Sequence, residues 1–206
     1  LYVFDRALGP DSAESATCLK NLGHVYFRLG QRDRARALFD RALAVRLERH
    51  GRTHPEVAFS LLDLALVHGA QGEPGLAAFC QQQAVAIFRA RFGPRHPLVA
   101  AGHGQLGRLY LSQNKPLHAL RHVEYALELL SSPGKGNALA ERTGADYFPS
   151  SEAAGLLTLR GDVLRGLAGQ EKGRVRRLSL LGDSERSYAT AGAVLERMRA
   201  AMPGEY

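Results

Sequence analysis

"THPEVA" at residues 53–58 and "RHPLVA" at residues 95–100 place His, Pro, Val and Ala in the same order, each pair 42 residues apart. One such match predicts a recurring unit, and the test is whether other positions recur at the same offset. They do. Leu22, Leu64 and Leu106 align, and beside them the small residues Gly23, Ala65 and Gly107. The ring-bearing Tyr26, His68 and Tyr110 align next. Ala35, Ala77 and Ala119 form a further row, as do Ala42, Ala84 and Ala126, with Leu43, Val85 and Leu127 after them. Gly30, Gly72 and Asn114 share a position, and these two residue types tolerate the left-handed conformation that closes a helix. Pro74 and Pro116 follow by two residues, where Pro suits the first helical turn.

Each unit reads as two antiparallel helices. Helix A and helix B are expected over 14–29 and 32–50 in repeat 1 (12–51), 56–71 and 74–92 in repeat 2 (52–93), and 98–113 and 116–131 in repeat 3 (94–131). Leu19, Leu22 and Tyr26 fall on one helical face, and Gly23 lets the partner helix come close. Gln81 departs from the bulky row of Phe39 and Val123, and His103 from that of Leu19 and Leu61, so either looser local packing or contact with a neighbouring segment is expected at both. The Gly-, Pro- and Ser-bearing stretch 132–150 reads as a linker. Residues 151–206 read as a degenerate capping pair: helix 151–169, a basic insertion 170–183, and helix 184–202 with Ser184 as its cap. An array needs such a final unit because nothing follows to cover its outer face. "FDRALG" (4–9) matches "FDRALA" (39–44), so residues 1–8 read as the end of a preceding helix B.

The stretch "NLGHVYFRLGQRDRARALFDRAL" (21–43) resembles the tetratricopeptide repeat, and the 42-residue spacing with its Gly-x-x-His-Pro-x-Val-Ala connector is similar to the kinesin-light-chain subclass. The resemblance implies an all-α, right-handed α-solenoid of antiparallel helix pairs. It implies a structural role for His54 and His96, bonding backbone at the connector. It also implies a concave peptide groove along the helices A, with Asn21, Asp63 and Gln105 as its polar row; only Asn21 keeps the family's Asn. The adjacent rows Lys20/Leu62/Gly104, Thr17/Phe59/Ala101 and His24/Leu66/Arg108 make that groove basic toward its ends and apolar at Phe59, Leu62 and Leu66. A peptide with an apolar anchor flanked by acids suits it. A carboxylate clamp for chaperone tails is not matched: of Lys20, His24, Asp63, Ala101 and Gln105, only Lys20 fits.

Composition narrows the function. The 206 residues carry a net charge of +7, but the cations are mostly Arg mixed with acids, as on solvated helix faces. No aromatic residues interleave a basic patch, which argues against nucleic-acid binding. Two unpaired cysteines, Cys18 and Cys80, suit a reduced intracellular protein and packing roles. No apolar run is long enough for a membrane span. His118 and His122 share a helix face but lack further ligands, and no nucleophile–base set is present, so neither metal, cofactor nor catalysis is expected. In the insertion, Lys172, Arg174, Arg176 and Arg177 cluster near Ser179, a pattern suited to a basophilic kinase, and equally to contact with an acidic partner or with RNA phosphates. The reading is a cytoplasmic, non-catalytic protein-binding scaffold or adaptor within a larger protein or assembly. A ligand-sensing module of a signalling protein and an RNA-binding helical array are the alternatives.

Overall fold

A computed structural model describes residues 12–131 and 150–201. Within them the chain forms eight helices: α1 (Ala13–Arg28), α2 (Arg32–His50), α3 (Pro55–Ala70), α4 (Pro74–Phe92), α5 (Pro97–Ser112), α6 (Pro116–Ser131), α7 (Ser150–Gln170) and α8 (Arg174–Ala201). The expected hairpins stand within one residue of their helix ends in the three repeats. The expected helix at 1–8 lies outside the described residues, as does the linker except for Ser150. The described helices fall into two compact units, divided after Pro94. The first holds α1–α4 and the second α5–α8.

Local chemistry fixes the helix ends. The Ser12 hydroxyl caps α1 by accepting from Ser15 N at 3.0 Å. His54 and His96 cap α3 and α5: each Nδ1 accepts a backbone N–H two residues on, from Glu56 and Leu98, at 3.2 Å. Pro55 and Pro97 then open the helices, where a missing N–H costs nothing. This is the backbone-bonding role expected of the two connector histidines. At the other end of each helix A, Gly30, Gly72 and Asn114 take positive φ values of 74°, 80° and 56°. The residue after each donates back to the ring-bearing row, Gln31 to the Tyr26 carbonyl, Glu73 to that of His68 and Lys115 to that of Tyr110, all at 2.9 Å. Three copies of one Schellman closure thus set three identical turns.

The turns place a large residue of helix B over a small one of helix A. A Cβ on Gly23 would stand 2.5 Å from the Phe39 ring, and one on Gly107 would stand 2.6 Å from Val123. Phe39 and Val123 are fully buried there. The second hairpin carries Ala65 and Gln81 at these positions, both buried, so Gln81 enters the core. In the first unit the buried Arg46 of α2 joins hairpins 1 and 2. It donates to the Ser60 hydroxyl at 2.6 Å and pairs with Glu56 at 3.1 Å, both on α3.

In the second unit, hairpin 4 packs on hairpin 3: a Cβ on Gly104 would meet Leu156 at 2.7 Å. Here the sequence reading needs a correction. Residues 170–183 are not a looped insertion; Glu171–Gly173 turn the chain and α8 starts at Arg174. Ser184 is no cap. It is buried inside α8 and donates to the Gly161 carbonyl at 2.9 Å. Large-on-small packing recurs, with Tyr188 2.6 Å from a Cβ on Gly161. Phe39 follows Gly23 by 16 residues and Val123 follows Gly107 by 16, whereas Tyr188 follows Gly161 by 27, a difference of 11. Relative to hairpin 1, α7 runs four residues longer past its glycine and α8 starts seven residues earlier before its aromatic. Four and seven residues are close to one and two helical turns, so both helices keep their faces. Residues 174–181, "RVRRLSLL", contain no Pro or Gly and favour this extension.

His103 does not loosen its site. Its Nδ1 lies 2.9 Å from Nδ1 of His122, and its ring meets the Tyr125 ring edge-on at 4.7 Å. Tyr110 stacks on His122 at 5.3 Å and covers His118 at 5.5 Å. One imidazole of the pair donates and the other accepts, so the bond fails if both are protonated. Burial lowers the pKa of His122, helped by Arg121 and His118.

Gly23→Ala and Gly107→Ala should each cost about 1–3 kcal/mol by overpacking, read from urea unfolding followed by circular dichroism; Gly192→Ala, at an exposed helical site with nothing within 4 Å, should stabilise by up to about 1 kcal/mol. The His122 pKa lies below its ordinary value of 6.5, so the unfolded chain takes up a proton first as pH falls through that value. Stability is therefore full above about pH 7 and declines below about pH 6.5. Urea midpoints between these conditions should show a shallower decline in His122→Phe, with a residue left by His96, whose pKa burial also lowers.

Candidate protein-binding surface

In the first unit, α1 and α3 present matching quartets. Thr17, Lys20, Asn21 and His24 lie on α1, and Phe59, Leu62, Asp63 and Leu66 on α3, both at the i, i+3, i+4, i+7 spacing of one helical face. The structure brings the two together, because His24 Nε2 pairs with Asp63 Oδ1 at 3.1 Å across the helices. The His24 ring also meets Phe39 edge-on at 5.0 Å, so the pair sits on the core of hairpin 1. Burial raises the pKa of Asp63, while His24, Lys20 and Arg46 pull it back. Asp63 is thus largely enclosed and held by His24, whereas Asn21 is exposed and free to turn its amide outward.

The apolar members stay accessible. Phe59 is 38% exposed and Leu66 is 47% exposed, with Leu62 half-buried between them. Phe59 is not loose: its ring rests on the buried Phe88 ring at 5.1 Å, which fixes the outward face. The strip therefore combines a rigid aromatic, an aliphatic neighbour, the exposed Asn21 and the half-buried cation of Lys20. Thr17 is exposed and its hydroxyl donates to the Ala13 carbonyl at 3.0 Å.

Gln105 and Arg108 are exposed on α5, in the second unit. Their neighbour Gly104 is not open wall: Leu156 of α7 fills the space in front of it. The cations Lys172, Arg174, Arg176 and Arg177 are all exposed, and so is Ser179. Apart from Lys172, these residues lie on α8 and not in a loop, so a phosphate on Ser179 would act on a formed helix. Arg176 pairs with Glu171 at 3.3 Å. Cys80 is buried, which raises its thiol pKa, and Cys18 is half-buried. Among the described residues no three of His, Cys, Asp or Glu converge on a common point. No helix among them is long and apolar enough to cross a membrane.

Arg46 is the residue the sequence reading missed. It occupies the position of Phe88, 42 residues on, and that exchange of ring for guanidinium was the available signal.

The helix hairpins are of tetratricopeptide type, and the tetratricopeptide repeat profile matches residues 1–48 and 15–90. Such repeats generally mediate protein–protein interaction and generally carry no catalysis. Within this class the repeats are kinesin-light-chain-like. The chain is 28% identical over 147 residues to KINESIN LIGHT CHAIN-RELATED 1 of Arabidopsis thaliana, covering 69% of this chain and 24% of that protein. It is 27% identical over 122 residues to KINESIN LIGHT CHAIN-RELATED 2 of the same plant, covering 58% and 18%. The match thus spans about a quarter or less of these relatives' length. The crystal structure of BtubC (BKLC) from P. vanneervenii shares the fold with a TM-score of 0.74 at 18% identity, covering 95% of this chain and 69% of that one.

Replacing Arg46 by Ala should cost about 1.5–3 kcal/mol, the range for hydrogen bonds to a charged group, and urea unfolding would measure it. The charge-preserving Arg46→Lys should recover only part, since a single ammonium replaces the forked guanidinium that reaches both Ser60 and Glu56.

Proposed function

We propose that this chain is the partner-binding module of a non-catalytic scaffold or adaptor, and that the strip on α1 and α3 takes an extended peptide. The observation that carries this is the side-by-side exposure of Phe59 and Leu66 next to Asn21. A rigid, half-open aromatic is the kind of anchor that dominates binding energy. An exposed amide both donates and accepts, which suits a peptide backbone. Because Asp63 is engaged by His24, Lys20 is the charge that remains to select a ligand, and it favours an acidic residue beside an apolar one. In the second unit, Gln105 and Arg108 offer a polar and a basic side chain on the exposed face of α5. A longer parent protein and a cytoplasmic setting belong to this reading and are supported by the longer kinesin-light-chain-related relatives.

Selection of a peptide library on the protein tests the proposal. Enriched sequences should carry an aliphatic or aromatic residue with Asp or Glu nearby. Their affinity should fall by about tenfold or more, roughly 1.4 kcal/mol, in Asn21→Ala/Phe59→Ala. Gln83→Ala, on the exposed face of α4, should leave it unchanged. Equal affinity for all three proteins would place the binding elsewhere.

A further inference from the structure

Hairpin 4 has a part with no counterpart in the other hairpins: one added turn on α7 and two on α8. The added turns of α8, with the bend before them, carry Lys172, Arg174, Arg176 and Arg177, and no acid lies between Lys172 and Gly182. Among the described residues, Arg176 is paired with Glu171, whereas the charged ends of Lys172, Arg174 and Arg177 form no ion pair. Val175, between these cations, is 84% exposed, and Leu178, next to Arg177, is 59% exposed. The two stand three residues apart and so are neighbours on one side of the helix. Every residue from Lys172 to Ser179 is exposed, so this tip adds no core to the unit.

Its composition also works against the fold. Arginines in the first turns of a helix face the positive end of the macrodipole, and like charges three residues apart repel. Two aliphatic side chains held in water gain nothing by burial. Both costs are relieved by one kind of neighbour, a segment carrying carboxylates and a few apolar side chains.

We propose that the tip of hairpin 4 is a docking surface for an acidic segment of a partner protein. Asp or Glu residues of that segment pair with Arg174, Arg177 and Lys172, and one or two of its apolar side chains cover Val175 and Leu178. Charge complementarity selects an anionic occupant, and the guanidinium fork suits carboxylates. The aliphatic pair then selects protein over nucleic acid: it gains nothing from a phosphate backbone, and no aromatic residue lies between Glu171 and Gly182 to stack a base. A bilayer is the poorer match, because two aliphatic side chains bury too little to anchor a helix. The surface shares no residue with the strip on α1 and α3.

The test is fluorescence anisotropy with the whole chain and a labelled synthetic peptide of Asp and Glu carrying two leucines three residues apart. Binding should weaken about tenfold or more in Arg174→Ala/Arg177→Ala and several-fold in Leu178→Ser, and should decline as salt is raised. A peptide with both leucines changed to serine should bind more weakly. Asn21→Ala/Phe59→Ala should bind like the unaltered chain, which separates this surface from the inner strip. No binding of the peptide, equal binding by the arginine variant, or tighter binding to single-stranded RNA or to phosphatidylserine-containing vesicles would each overturn the proposal.

Discussion

Three of the four hairpins depend on a place where one helix lacks a side chain and its partner fills the gap, and the second keeps an alanine there. The Phe39 ring sits where a Gly23 Cβ would be, Val123 does the same at Gly107, and Tyr188 at Gly161. Close approach of two helices at that point buries the alanine rows on either side. The turn must return the chain so that the large residue lands on the gap. Three Schellman closures, each with a glycine or asparagine in the left-handed conformation, do this in the same way. Turn and gap are one constraint, and its repetition every 42 residues is what the connector pairs "HPEVA" and "HPLVA" register.

Much of this was legible because the relevant residues have few alternative uses. A glycine after an amphipathic run, a proline at the first helical position and a small residue at a fixed distance from a large one each constrain the backbone directly. Hairpin 4 was harder to read. Its closing segment lacks the Gly-x-Pro punctuation of repeat 2, and Ser184 suggested a helix start that packing overrides. Ser184 is buried against the Gly161 carbonyl, so a residue type common at helix starts lies in a helix interior. The histidine pair was unreadable for another reason. His103 and His122 lie 19 residues apart on different helices, and only the fold shows that they share a hydrogen bond.

The candidate surface was legible in its membership and not in its internal bonding. Alignment by 42 placed His24 and Asp63 in neighbouring rows, yet it treated both as open to a ligand. In the structure they satisfy each other, and the pair ties α1 to α3. Joined with Arg46, which bridges α2 to α3, it makes the first unit a block in which both helices of repeat 1 are bonded to helix A of repeat 2. Phe59 is therefore displayed from a braced support, its ring backed by Phe88.

The extra length of hairpin 4 carries a rule about how such a chain changes size. Each residue added to one helix rotates everything beyond it by about 100° relative to its partner. Lengthening by four and by seven residues returns nearly to the starting angle, whereas two or five would swing the Tyr188 side of α8 into water. Growth of a hairpin is therefore quantised: genetic insertions near one full revolution survive, and intermediate lengths disassemble the joint. The protruding arm of hairpin 4 is one permitted step on that ladder.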